Sequence, residues 1–155
     1  VLFRSTIYNE DGQVIKTMNY ANTGSTVNMF GYGAGFDNEP VTITVTADEW
    51  TQNMSNTLPD STVIQSLSMT TNGVEYGCSW YEAILTISGG ILDGQTIQGC
   101  GVDFNGLDIT GFSSITITSI DIDNYNDNLE IYVEIQSNYT VDSIFCLTNV
   151  ILYDY

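Results

Sequence analysis

The chain has 155 residues, with nineteen acids against two bases and no histidine, for a net charge of −17. Such a field repels phosphate backbones and anionic lipid, so nucleic acid and anionic inner-leaflet membranes are poor partners, and no apolar run reaches the ~20 residues that span a bilayer. Without histidine no Ser-His-Asp or Cys-His arrangement can be built, and a conventional zinc set is incomplete.

The length suits one domain that buries roughly two-thirds of its unfolded surface. Gly, Thr, Ser, Asn, Ile and Tyr are abundant while Lys, Arg and Ala are scarce, a composition of strands and turns rather than helices. The acidity fits either binding of divalent cations or a basic partner, or a solvated surface that uses Asp, Asn, Thr and Ser in place of Lys. The second reading is favoured.

The opening Val1-Leu2-Phe3-Arg4-Ser5 is what the tail of a common sequencing adaptor (GTG CTC TTC CGA TCT) would encode. Residues 1–5 are therefore expected to be an assembly artefact, with residues 6–155 forming a single β-sandwich domain truncated at its amino end. Lys16 is then the only native basic side chain.

Thr6 to Asn9 and Gln13 to Ile15, around Glu10-Asp11-Gly12, read as a hairpin, with Asp-Gly supplying the positive φ of a tight turn. Lys16 to Asn28 is weakly patterned, with one strand ending near Tyr20 and another over Thr26 to Met29. Met29 to Phe36 (MFGYGAGF) superficially matches a phosphate loop, but Phe36 stands at the last glycine and no Walker lysine follows. It reads instead as a loop or bulged edge that brings Phe30, Tyr32 and Phe36 together. Such a cluster is either a carbohydrate platform or, the favoured reading, a loop pinned to the core by its own aromatics.

Asp37 to Pro40 is a turn, and Val41, Ile43 and Val45 alternate with threonines in a clear strand. Ala47 to Asp60 has room for a short helix capped by Asp48, with Trp50 as a lid over one end of the core. Ser61 to Thr70 alternates through Val63, Gln65, Leu67 and Met69, or out of phase through Ile64, so its register is open. Asn72-Gly73 is a turn signal, and Val74 to Ser88 reads as one long central strand, bulky on both faces. After Gly89-Gly90 and Asp93-Gly94, Thr96 to Phe104 places Cys100, Val102 and Phe104 on one face.

Leu107 to Ile135 reads as two long strands folded back over an Asn/Asp turn. Leu129, Ile131, Val133 and Ile135 alternate with Glu130, Tyr132 and Glu134, while Ile115 and Ile117 slip phase to Ile120 and Ile122. The slip predicts a bulge near Thr118-Ser119. Asn138 to Ile144 and Leu147 to Tyr155 supply the last strands. About ten strands at 8–12-residue spacing, with at most one short helix, predict an all-β fold: an antiparallel β-sandwich, with a jelly roll among its forms.

Candidate chemistry is sparse. Cys78, Cys100 and Cys146 form no CxxC; one disulfide with a free thiol and three buried thiols both fit. Hydrolysis of glycosides needs two carboxylates across a cleft. Glu130 and Glu134 share a strand face on its solvent side, and Asp103 and Glu82 interrupt otherwise apolar strands, but nothing in the sequence pairs them.

Asp121, Asp123 and Asp127, with turn carbonyls, offer the hard oxygens that Ca2+ requires. The EF-hand pattern fails, because Tyr125 takes the fifth position and the required glycine is missing, and Asp and Asn also favour hairpin turns for conformational reasons. The aromatics expected to meet a ligand are Tyr32, Phe36, Trp50, Tyr81 and Tyr125. The function expected is a non-catalytic extracellular or cell-surface module that binds a carbohydrate or protein surface. The alternatives are a phage virion or tail domain forming homo-oligomers and a fragment of a carboxylate-dependent glycoside hydrolase.

Overall fold

A strand with one apolar face is stable only when that face is covered, and the period-two stretches of this chain solve the problem in pairs. In the computed structural model, which describes residues 2–23, 26–35, 40–49, 61–75, 77–121 and 129–138, ten strands form. They are β1 (Leu2–Tyr8), β2 (Val14–Thr23), β3 (Thr26–Ala34), β4 (Thr42–Thr46), β5 (Ser61–Thr71), β6 (Val74–Glu75), β7 (Tyr81–Ser88), β8 (Thr96–Gly99), β9 (Ser114–Asp121) and β10 (Glu130–Asn138). Two antiparallel sheets result: six strands in the order β1-β2-β3-β10-β5-β6, and four in the order β4-β9-β7-β8. The molecule is an all-β sandwich, as its alternation predicts.

The pairing has a simple logic. β3 pairs with β10, β4 with β9, and β7 with β8. β5 pairs with the short stretch around an antiparallel bridge between Val63 and Asp108. There Ile64 N donates to Leu107 O at 3.0 Å and Ile109 N to Thr62 O at 2.9 Å. One antiparallel ribbon thus runs out through β3, β4, β5 and β7 and back through β8, the Asp108 bridge, β9 and β10. Every step along either leg changes sheet, so the ribbon winds around itself and lays β10 beside β5 and β9 beside β7. This is jelly-roll connectivity. The β1–β2 hairpin extends the larger sheet beyond β3.

The core lies between the sheets. Met18, Met29, Ile64, Leu67, Met69, Ile131, Val133 and Ile135 face it from the larger sheet, and Ile43, Val45, Ala83, Leu85, Ile87, Ile115 and Ile117 from the smaller. Gly31 and Gly33 also face inward on β3. A Cβ on Gly31 would stand 2.8 Å from Val133 Cγ1 and 3.2 Å from Ile43 Cδ1, and one on Gly33 3.1 Å from Ile43 Cβ. These glycines make room for the Ile43 side chain of the opposite sheet. Read from sequence they weaken strand propensity, which is why Met29–Ala34 resembles a loop; in the fold it is a central strand.

Several local expectations are corrected. β9 and β10 do not form a hairpin, because the link between them crosses from one sheet to the other. β9 carries no bulge at Thr118-Ser119: its register against β7 is unbroken from Ser114 to Asp121. Ser119 keeps the inward phase, buried, and its Oγ accepts from Val41 N at 2.9 Å while Ile120 turns outward. The phase change lies in β5, where β10 pairs Glu134 with Ser66 but Ile135 with Ile64. That irregularity brings Thr62, Ile64, Leu67 and Met69 all inside and resolves the open register.

The stretch Val74 to Ser88 is broken. Asn72 and Gly73 both take positive φ in a tight turn to β6, and a turn over residues 78–80 precedes β7. Thr96 to Phe104 ends as a strand at Gly99 and continues as a 3-10 turn, which exposes Val102 and buries Phe104. Residues 47–49 are helical, but the cap is Thr46 rather than Asp48. Glu49 N donates to Thr46 Oγ1, and Thr46 N donates to Glu49 Oε2, each at 3.2 Å, a capping box. Lys16 reaches Glu49 at 3.3 Å. Cys146 and the strands expected over Asn138–Ile144 and Leu147–Tyr155 fall almost wholly outside the described residues, although Asn138 itself ends β10.

Cys78 and Cys100, 22 positions apart in sequence, are joined by a disulfide with Cα atoms 5.0 Å apart. It ties the turn before β7 to the end of β8. For a loop of this length, the double variant Cys78→Ser/Cys100→Ser is expected to lose about 3 kcal/mol. A melting scan should read this as a midpoint lower by ~6–12 °C.

Candidate ligand-binding face

The polar phase of each strand in the larger sheet points away from the core, and there the register sets aromatic rings side by side. Thr17 pairs with Tyr32, and Tyr32 with Tyr132, which pairs with Ser68. In the next row Arg4 pairs with Asn19, Asn19 with Phe30, Phe30 with Glu134, and Glu134 with Ser66. The two rows form a cleft of about 410 Å3 across β1, β2, β3, β10 and β5, within the size range of small-molecule sites. Four strand spacings make it roughly 19 Å long.

The floor is aromatic. The Tyr32 and Tyr132 ring centroids lie 4.8 Å apart with the planes tilted by 40°. Glu130 holds both rings: Tyr32 Oη donates to its Oε1 at 3.2 Å, and Tyr132 Oη donates to its Oε2 at 3.1 Å. Thr70 Oγ1 donates to the same Oε2 at 3.0 Å. Charge-assisted bonds of this kind fix ring orientation. Burial first and the Glu130 carboxylate second push the Tyr32 phenol up to about 12, and the same two causes raise Tyr132. At the far end, Arg4 Nε donates to Asn19 Oδ1 at 3.2 Å.

The other outer face differs. On the smaller sheet Thr42 meets Thr118 and Thr44 meets Thr116, each pair at 3.2 Å between hydroxyl oxygens. No aromatic side chain of β4, β7, β8 or β9 stands on that side among the described residues.

Of the aromatics expected from sequence, Tyr32 lies in the cleft. Tyr81 is only 2 % exposed and belongs to the core: the β7 alternation that puts Ala83, Leu85 and Ile87 inside carries it there too, so it is not a surface ring. Phe36, Trp50 and Tyr125 fall outside the described residues. Asp121 closes β9, but its side chain, with Asp123 and Asp127, is also outside them. No cluster of three metal-ligating side chains occurs among the described residues. Tyr132 was legible only as a solvent-side member of an alternation; the signal that finds it is its register opposite Tyr32.

The four acids singled out from the sequence, Glu82, Asp103, Glu130 and Glu134, do not compose a hydrolytic pair. Glu130 and Glu134 sit four residues apart on one strand, about 13 Å by strand rise, beyond the ~5–9.5 Å that glycosidases use. Glu82 accepts from Gln98 Nε2 at 2.7 Å on the smaller sheet, and Asp103 accepts from Cys100 N at 2.9 Å on an exposed turn. Neither is buried. The cleft can stack flat rings and exchange hydrogen bonds.

Spectrophotometric titration checks the Tyr–Glu–Tyr cluster. An unperturbed tyrosine ionises near 10, so the folded protein should keep the Tyr32 proton until about pH 12. Between those values the native state binds more protons than the unfolded one, so this contribution to stability is complete below pH 10 and lost as pH rises through 12. Glu130→Gln should bring the late tyrosine transition back toward 10. Family models, curated proteins and solved structures offer no match to the chain, which leaves the chemistry of this cleft as the ground for its function.

Proposed function

We propose that the protein is a non-catalytic carbohydrate-binding module that works outside the cell. The observation that carries this reading is the cluster of Phe30, Tyr32 and Tyr132 on one outer sheet face, flooring a cleft with a polar rim. A pyranose ring has apolar faces that stack on aromatic rings and a girdle of hydroxyls that needs donors and acceptors around it. Asn19, Ser66 and Glu134 supply them here. All three rings stand on central strands and Glu130 holds the two tyrosines, so little side-chain freedom is lost on binding. The Cys78–Cys100 disulfide supports an oxidising compartment such as the cell exterior.

A virion or tail structural domain is the second reading. Jelly-roll connectivity recurs in capsid proteins as well as lectins, and Val74, Ile91 and Val102 expose apolar surface that copies of the chain could share.

Affinity electrophoresis through gels containing polysaccharide tests the first reading. Tyr132→Ala and Tyr32→Ala should each weaken retention about five- to thirty-fold, the equivalent of about 1–2 kcal/mol. Ile91→Ser, away from the cleft, should leave retention unchanged. If both tyrosine variants bind like wild type while light scattering finds a large homo-oligomer, the structural-domain reading replaces it.

A further inference from the structure

The cleft floor holds an acid that no hydrogen bond engages among the described residues. Glu134 lies between Phe30 and Ser66 in the pairing register, lines the cleft and makes no hydrogen bond among the described residues. It differs in this from Glu130, whose oxygens already accept from three hydroxyls. An ionised carboxylate has only acceptor sites. It suits the hydroxyl donors of a sugar, and it opposes a ligand carboxylate or sulfate twice over, by like charge and by lack of a donor.

The cleft's one cation does not offset this. Arg4 stands three strands from Glu134, roughly 14 Å by strand spacing, more than a Debye length at physiological salt, and its Nε is engaged by Asn19. The net charge of −17 acts in the same direction.

We propose that the cleft selects uncharged glycans over glycans bearing carboxylate or sulfate groups, and that Glu134 imposes the selection. This rests on the reading of the cleft as a sugar site. The ligand keeps a ring face on Phe30 and turns hydroxyls toward Glu134. Hydrogen bonds to a charged acceptor are stronger than those to a neutral amide by about 1 kcal/mol, so Glu134→Gln preserves shape and weakens a neutral ligand about fivefold.

The experiment is native affinity electrophoresis at physiological ionic strength through gels of neutral polymers (mixed-linkage β-glucan, xylan, mannan, starch) and anionic ones (polygalacturonate, alginate, dextran sulfate). Wild type should be retarded by at least one neutral polymer and by none of the anionic ones, and Glu134→Gln should lose about fivefold in affinity for the neutral one. Retardation by an anionic polymer would overturn the selection while leaving the cleft a sugar site. Unchanged affinity in Glu134→Gln would remove the role of Glu134. Passage of wild type through every gel would remove the sugar reading and the selection with it.

Discussion

Everything in this molecule depends on the closure of one sheet on the other along the seam where Ile43 enters the space left by Gly31 and Gly33. Each strand has one apolar face, and burial of that face is the main source of stability for such a fold. The seam requires β3 and β4 to lie in opposite sheets. Once they do, their ribbon partners β10 and β9 must lie in opposite sheets as well. The long Leu107–Ile135 segment is therefore divided between layers.

The same closure creates the candidate binding face. With the inner positions of β3 and β10 committed to the core, their outer positions form a surface whose spacing is set by the ladder. Tyr32 and Tyr132 become direct cross-strand neighbours, and Glu130 lies within reach of both hydroxyls. A platform built on central strands is more precisely held than one built on loops. Its acidity also has a local meaning: Glu130 holds the two rings, whereas Glu134 makes no hydrogen bond among the described residues.

What could be read in the sequence was whatever depends on one strand alone. The alternation of Ile131, Val133 and Ile135 with Glu130, Tyr132 and Glu134 gives both faces of β10 correctly, and Asn72-Gly73 gives its turn. What could not be read depends on a partner. Ser119 looks polar until Val41 N is found bonded to its hydroxyl, and the inward glycines look like a loop until Ile43 fills the space above them. Pairing of distant cysteines is likewise invisible in a chain with no CxxC. The candidate binding face was half legible: Tyr32 stood out for its aromatic neighbours, while Tyr132, a hundred positions away, belongs beside it only through register.

The central claim is the layered closure, and nuclear Overhauser contacts in isotope-labelled protein test it most directly. The Ile43 δ1 methyl should show strong contacts to the α protons of Gly31 and Gly33, with Ser114–Asp121 contacting β4 and β7 and having no cross-strand contacts to Leu129–Ile135. Contacts that pair Ser114–Asp121 directly with Leu129–Ile135, together with an Ile43 methyl remote from both glycines, would contradict it.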